Sequence, residues 1–117
     1  MVSDECRDVR GRRDRSAEPS RNHDCHGDSA KKIWITEFGA PTSGTPDSVS
    51  EARQLEIYQA AMADKQSKPW LGPLIFYRLN DYAPYGATTD RESYFGAVRS
   101  DGTVKPSAAY VKSELCP

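Results

Sequence analysis

The clearest structural pattern in the chain is Lys32-Ile33-Trp34-Ile35-Thr36-Glu37-Phe38-Gly39-Ala40-Pro41-Thr42. A short apolar, β-branched run ends in a carboxylate, and Gly and Pro then stop it, which is typical of a buried strand. Because Ile33, Trp34 and Ile35 are apolar on both sides of the alternation, the pattern predicts a strand covered on both faces, as in a parallel sheet. Trp34 is expected to pack beneath a helix. Glu37 then lies at the carboxyl end of the strand, where the reactive groups of parallel α/β folds gather.

An amphipathic helix is predicted next, from Val49 to about Gln66. Ser48-Val49-Ser50-Glu51 has the form of a capping box, with Ser48 as the cap and Glu51 reaching back to its amide. An apolar stripe at helical spacing follows, formed by Ala52, Leu55, Tyr58, Gln59 and Met62. Pro69 ends the pattern. The stripe indicates a helix that lies on the sheet.

A second strand is predicted over Leu74–Leu79, after the breaker Gly72-Pro73. It would run parallel to the first strand, because a helical crossover of suitable length joins them. Phe95–Arg99 is a short strand-like run, and Asp101-Gly102 is a strong turn signal. Lys105-Pro106 is expected to open a last helix, with Pro in its first turn. Two βα units therefore account for most of the chain after residue 30.

Residues 1–30 are rich in charged and small polar residues, and Met1, Val2 and Val9 are their only bulky apolar ones. Such a segment cannot bury enough surface to offset its ordering entropy, so we expect disorder. It lacks the apolar period that a helix preceding the first strand would need. One hypothesis is that residues up to about Cys25 derive from a shifted reading frame or a misplaced start.

The cysteines and histidines give no recognisable metal or disulfide pattern. His23, Cys25 and His26 lie close together, but zinc sites usually draw on two pairs of ligands, and there is no second pair. An unstructured segment explains these residues better than a metal site does. The three cysteines are widely spaced, so no disulfide framework can be read from them. We therefore predict no metal.

The overall charge points away from two classes of partner. With a net charge of -1 and a pI of about 6.1, the chain has no electrostatic signature for nucleic acid or a membrane surface. No apolar stretch approaches the roughly 18 residues of a membrane span. The amino terminus lacks the apolar core of a secretory signal, and the cellular location stays open.

Three motifs, in order, carry a resemblance to a known family. Ile33–Gly39 resembles the seventh-strand segment of retaining glycoside hydrolases of the (β/α)8 clan, and in particular of cellulase-like members of families 5 and 39. Gly72–Tyr77 is similar to the family's eighth strand. Tyr94–Pro106 is similar to its closing segment, in which Phe-Gly, a hairpin, Asp-Gly and Lys-Pro follow one another. The resemblance runs from about Gly27 to the end of the chain.

The resemblance implies an α/β fold: residues 31–117 would be the last two βα units of a partial TIM (β/α)8 barrel, preceded by the disordered, non-homologous segment 1–30. A complete barrel needs about 250 residues, more than twice the 117 present. By the same resemblance Glu37 occupies the position of the catalytic nucleophile, the substrate is a poly- or oligosaccharide, and no cofactor is needed. Members of the family are often secreted.

The second carboxyl group that a retaining glycosidase requires is missing from the motifs. The family's acid/base Glu follows an Asn, and no Asn-Glu pair occurs here. Asp81 and Glu92 lie near the eighth-strand loop, but neither matches the family's acid/base. This chain is therefore expected to be inactive.

Sugar binding is expected from residues at the end of the second strand and in the loop after it. The aromatic candidates are Tyr77, Tyr82 and Tyr85, because sugars stack on aromatic faces, although a core position is the better explanation of Phe76 and Tyr77. The polar candidates are Asn80, Asp81 and Arg78, which could instead form hydrogen bonds at the barrel rim.

Three interpretations of function remain open from the sequence. The chain is part of a glycoside hydrolase with Glu37 as nucleophile, a non-catalytic remnant of one, or an interaction module that completes its sheet with another chain. Two parallel strands leave unpaired edges, which favours self-association.

Overall fold

The computed structural model describes residues 27–116. Along the chain these form β1 (Ile33–Phe38), α1 (Glu51–Ser67), β2 (Leu71–Phe76), a 3₁₀ helix (Arg91–Tyr94) and α2 (Pro106–Leu115). Residues 27–30, at the end of the segment predicted to be disordered, make a turn closed by the Lys31 N–H and the Asp28 carbonyl. The predictions for Cys6, His23, Cys25 and His26 lie outside the described residues.

The two strands form a parallel pair, as the sequence predicts. Ile33 pairs with Leu71, Ile35 with Leu74 and Phe38 with Phe76, and α1 makes the crossover. The register shifts between successive pairs, so the ladder is irregular along its length. Both strands therefore end at the same edge of the sheet, just after Phe38 and Phe76.

One part of the core lies between the sheet and α1, and another contains the buried side chains of Tyr94 and Phe95. The Tyr58 ring, fully buried on the helix, stacks on Phe76 with ring centroids 4.3 Å apart. Phe38 meets the edge of Phe76 at 6.1 Å. Offset and edge-on aromatic pairs of this kind stabilise a core beyond the area that they bury.

The opposite face of the sheet is open to solvent. Trp34 is 63% exposed and Ile75 is 48% exposed. The expectation of a strand covered on both faces, with Trp34 beneath a helix, is therefore wrong for the part of the chain that the structure describes. The residues of α1 cover only one face, and none of residues 27–116 covers the other.

The second strand lies earlier in the chain than predicted, at Leu71–Phe76 instead of Leu74–Leu79. Gly72 and Pro73 lie inside it. Pro73 has no N–H to donate, but it sits where the register shifts, on a strand with only one partner among residues 27–116. Proline is tolerated at such irregular edge positions, so it does not interrupt the strand here.

The first helix begins at Glu51 with Ser50 as its cap, and the predicted capping box on Ser48 does not form. The Ser50 hydroxyl accepts a hydrogen bond from the Arg53 N–H at 3.1 Å. Val49 lies outside the helix because its N–H donates to the Pro41 carbonyl. The predicted helix itself is confirmed and ends at Ser67.

The carboxyl-terminal part contains a turn and a helix, as predicted. Residues 95–99 form no strand; Val98 makes isolated bridges to Asn80 and Val104. Gly102, in the turn between these bridges, has a φ of +88°, which glycine adopts without a steric penalty. Pro106 occupies the first turn of α2.

None of the helices in residues 27–116 is long and apolar enough to span a membrane. No cluster of three or more His, Cys, Asp or Glu side chains in this part of the chain is arranged to hold a metal ion.

Candidate functional site

Glu37 lies at the carboxyl end of β1, one residue before the last residue of the strand. Its side chain is exposed and accepts no hydrogen bond or ion pair from residues 27–116. A solvent-facing carboxylate at this end of a parallel strand lies where α/β folds gather their reactive groups. It has the chemistry of a nucleophile, a general base or an acceptor for a ligand hydroxyl.

The ends of the two strands are joined directly beside Glu37. The Tyr77 N–H donates to the Phe38 carbonyl at 2.7 Å. Gly39 passes so close that a Cβ there would overlap the Tyr77 carbonyl oxygen. This contact explains why the strand must be followed by glycine, and it brings Tyr77 next to the residue that follows Glu37.

A polar and aromatic cluster extends from this junction. Arg78 donates through Nη2 to the Tyr77 hydroxyl at 2.7 Å and through Nη1 to the Glu92 carbonyl at 3.1 Å. Its guanidinium carbon lies 3.7 Å from the centroid of the Tyr82 ring. The Tyr77 hydroxyl donates in turn to the Glu92 carboxylate at 3.1 Å. We call Tyr77, Arg78, Tyr82 and Glu92 the strand-end cluster.

The Tyr77 hydroxyl remains a donor at neutral pH. Partial burial and the hydrogen bond to the Glu92 carboxylate raise the pKa of Tyr77, and Arg78 opposes that rise. The phenol is therefore protonated, with its proton directed at Glu92. The peptide bond between Tyr77 and Arg78 is cis.

A buried ion pair supports the loops around the site. Lys105 Nζ lies 2.8 Å from Asp81 Oδ2, and the two side chains are 1% and 7% exposed. The same ammonium donates to the Thr42 hydroxyl at 2.9 Å and to the Gly96 carbonyl at 2.8 Å. Asp81 Oδ1 accepts from the Gly96 N–H at 2.8 Å. Every donor of Lys105 is therefore satisfied, as a buried charge requires.

A second buried group ties α1 to the same loops. Gln54 is fully buried and donates to the Ala40 carbonyl at 3.0 Å and to the Gly96 carbonyl at 3.3 Å. The Ser107 hydroxyl donates to Gln54 Oε1 at 2.7 Å. These contacts fix the backbone that leaves β1 just after Glu37.

A separate pocket of about 560 Å³ lies near the same loops. Its lining includes Thr42, Asp81, Tyr85 and Asp101, and Glu37 is not among the lining residues. Its charged groups already have partners: Arg99 binds Glu51 at 2.6 Å, Asp81 binds Lys105, and Asp101 accepts a hydrogen bond from the Thr103 N–H at 2.9 Å. We therefore take the strand end, and not this pocket, as the candidate site.

The structure places the predicted sugar-binding residues in three settings. Tyr77 and Tyr82 lie together in the strand-end cluster. Asp81 is buried and Asn80 is exposed, next to the backbone bridge with Val98. Tyr85 is 82% exposed and lines the separate pocket. The direct sugar contacts of these five residues, and of Arg78 in the strand-end cluster, stay a prediction.

Sequence reasoning missed the buried roles of Lys105 and Gln54. Both residue types are usually exposed, and their partners lie far away along the chain. The one available signal for Lys105 was its position before proline at the start of a helix, which does not reveal burial.

No protein-family model and no curated protein sequence matches the chain. Solved structures that resemble its fold include two beta-glucuronidases. The Faecalibacterium prausnitzii beta-glucuronidase superposes with a TM-score of 0.60 at 21% identity, over 83% of this chain and 18% of that one. The Bifidobacterium dentium beta-glucuronidase, complexed with coumarin-3-O-glucuronide, superposes with a TM-score of 0.60 at 22% identity, over 80% of this chain and 16% of that one.

These likenesses concern the fold alone. The chain is a mixed α/β structure with a two-stranded parallel sheet, and it matches part of a TIM barrel. It spans less than a fifth of the length of either beta-glucuronidase.

Proposed function

We propose that residues 31–117 are the part of a glycoside hydrolase barrel that carries the catalytic nucleophile, Glu37, with residues 1–30 a separate segment. The observation that carries the proposal is an exposed, unpaired carboxylate at the carboxyl end of a parallel strand. The barrel-like fold and its likeness to two beta-glucuronidases support it. The substrate would be a glycoside, and the mechanism would retain anomeric configuration.

In that mechanism the Glu37 carboxylate attacks the anomeric carbon and expels the leaving alcohol. A second carboxyl group about 5 Å away must protonate that alcohol and then activate water. None of the family-like motifs supplies this group. We therefore expect the chain by itself to hydrolyse no aryl glycoside at a measurable rate, since general acid–base catalysis contributes about 10²–10⁴-fold.

The nucleophile role can be tested without turnover, by covalent labelling with an epoxide analogue of a sugar ring. The carboxylate would open the epoxide, forming an ester to carbon while the carbon–oxygen bond breaks and the released oxygen takes a proton from water. Peptide mapping by mass spectrometry should find the label on Glu37, and Glu37→Gln should remove it. Glu56, exposed on the outer surface of α1, provides the control Glu56→Gln.

Labelling spread evenly over exposed carboxylates, with no preference for Glu37, would reject the nucleophile assignment. Clear Glu37-dependent hydrolysis by the purified chain would instead reject the expected inactivity, and would imply that several copies close a barrel.

A second candidate, an interaction module that completes its sheet with another chain, is favoured by a different observation. Trp34 and Ile75 are exposed on the uncovered sheet face, and each strand has one unpaired edge within residues 27–116. Exposed edges of this kind are templates for pairing. In the third interpretation, a non-catalytic remnant of a glycoside hydrolase, the chain has no such partner.

A further inference from the structure

Two backbone hydrogen bonds, one from the N–H of Arg78 and one to its carbonyl, hold this residue at the strand end. Its N–H donates to the Phe95 carbonyl at 3.2 Å, and its carbonyl accepts from the Ala97 N–H at 3.2 Å. The preceding residue, Tyr77, is hydrogen-bonded to the residue after Glu37. Arg78 and Glu37 therefore belong to the same end of the same strand pair.

The guanidinium is oriented by neutral groups. The Tyr77 hydroxyl and the Glu92 carbonyl each accept one of its N–H groups, and the Tyr82 ring lies against its plane. Arginine has five N–H donors in a rigid fork, so three remain after these two contacts. The side chain is fixed in place with donors to spare.

Arg78 lacks the ion pair that each of the other arginines in residues 27–116 makes. Within residues 27–116 it has no carboxylate within 4 Å, whereas the other arginines of this region do. Those pairs are Arg53–Glu56 at 2.6 Å, Arg91–Asp47 at 3.5 Å and Arg99–Glu51 at 2.6 Å. The Glu92 carboxylate reaches Arg78 only through the Tyr77 hydroxyl, and it also lies 3.9 Å from Arg91 Nε.

We propose that Arg78 binds the carboxylate of an acidic sugar, so that the ligand of the strand-end site is a uronic acid glycoside. This inference rests on the proposed glycosidase function, which supplies the sugar. A planar carboxylate fits the arginine fork with two parallel hydrogen bonds, stronger than the contacts a neutral sugar hydroxyl would make. Tyr82, 70% exposed, offers an aromatic face beside it.

The test compares two ligands that differ only at the sugar C6 position: methyl β-D-glucuronide and methyl β-D-glucoside. NMR titration of the ¹⁵N-labelled full chain would give both dissociation constants. The glucuronide should bind about tenfold more tightly, because hydrogen bonds to a charged group outweigh neutral ones by about that factor. Arg78→Gln should abolish the preference, and the surface control Arg53→Gln should retain it.

A second variant keeps Arg78 in place and guards against loss of folding. Glu92→Gln removes the negative charge on the far side of Tyr77, so the preference for glucuronide should increase, and the increase should shrink at high salt. No change in Glu92→Gln would count against the proposal.

The remaining outcomes separate this inference from the proposed function. Equal affinity for the two sugars, a preference that survives Arg78→Gln, or no detectable binding of either sugar would overturn the acidic-sugar site. Specific epoxide labelling of Glu37 in the same preparation would leave the nucleophile proposal standing. A glucuronide preference that depends on Arg78, without labelling of Glu37, would support the acid-binding site and refute the catalytic role.

Discussion

At the scale of single residues, buried polar groups hold the candidate site together. The Lys105–Asp81 pair joins the start of α2 to the loop after β2, and its ammonium also reaches Thr42 in the loop after β1. Losing one member of a pair like this typically costs about 3–5 kcal/mol, because the other is left buried and charged. The loop that follows Glu37 therefore depends on a lysine that lies 63 residues beyond Thr42 in the sequence.

Tyr58 is the buried polar residue whose hydroxyl finds no hydrogen-bond partner within the part of the chain that the structure describes. Removing that hydroxyl in Tyr58→Phe should stabilise the fold by about 1–3 kcal/mol, the cost of an unsatisfied buried group. Urea denaturation at pH 7 would measure the change. Tyr85→Phe, at an exposed position, should change the stability little.

Tyr58 should also make the free energy of unfolding depend on pH. Burial, with a smaller contribution from Asp81, raises the pKa of Tyr58 to about 12 from its ordinary value of 10.0. Between these two values the unfolded chain releases the proton while the folded chain keeps it, so the free energy of unfolding falls as pH rises. Tyr58→Phe should lose this contribution to the slope of unfolding free energy against pH, and Tyr85→Phe should keep it. Identical slopes in wild type and Tyr58→Phe would contradict the assignment.

At the scale of elements, contacts with neighbouring segments set the helix and strand boundaries. Ser48 and Ser50 both suit a cap, and the sequence pattern favours Ser48. The Val49 N–H is instead hydrogen-bonded to the Pro41 carbonyl at 2.9 Å, which holds residue 49 outside the helix and leaves Ser50 to cap it. In β2, the irregular register likewise accommodates Pro73.

The two candidate caps of α1, Ser48 and Ser50, can be compared in a matched pair of variants. Ser50→Ala should destabilise the chain by about 1 kcal/mol, the usual cost of losing an N-cap side chain. Ser48→Ala should have almost no effect, because only the Ser50 hydroxyl meets a helical N–H. Thermal unfolding followed by circular dichroism would compare them. A larger loss in Ser48→Ala than in Ser50→Ala would show that the helix starts at the predicted capping box.

At the scale of the whole molecule, residues 27–116 cover one face of the sheet and leave the other face exposed. α1 covers one face of β1 and β2, while Trp34 and Ile75 remain exposed on the opposite face. In a complete barrel that face points into the packed interior. The chain covers 18% of one beta-glucuronidase that it resembles in fold and 16% of the other.

This exposed face predicts that the chain self-associates. Burying the exposed part of Trp34 would contribute roughly 2–3 kcal/mol, so Trp34→Ser should weaken association at least tenfold. Leu115→Ser, an equally exposed apolar position at the end of α2, should not weaken it. Sedimentation equilibrium over a range of protein concentrations would measure both. A wild-type chain that stays monomeric throughout would contradict the prediction.

Much of the architecture is already determined by local sequence. The apolar run that starts at Ile33 and the breakers Gly39 and Pro41 predict β1. The apolar stripe from Val49 to about Gln66 predicts α1, and Lys105-Pro106 predicts the start of α2. These features depend on neighbours within a few residues, so hydrophobic period and breakers are sufficient to locate them. The same reasoning put Glu37 at the carboxyl end of a strand, and the resemblance to the (β/α)8 glycoside hydrolases predicted the partial barrel.

Only the tertiary structure decided which polar groups are buried and which partners they have. Lys105 and Gln54 look like surface residues in the sequence, and Arg78 has no local signal for its position between Tyr77 and Tyr82. The contacts of Lys105 and Gln54 join segments far apart in the chain, and hydrogen bonding and charge pairing depend on distances that only folding sets. The local pattern locates helices and strands, whereas the three-dimensional fold determines which side chains are buried and which groups meet.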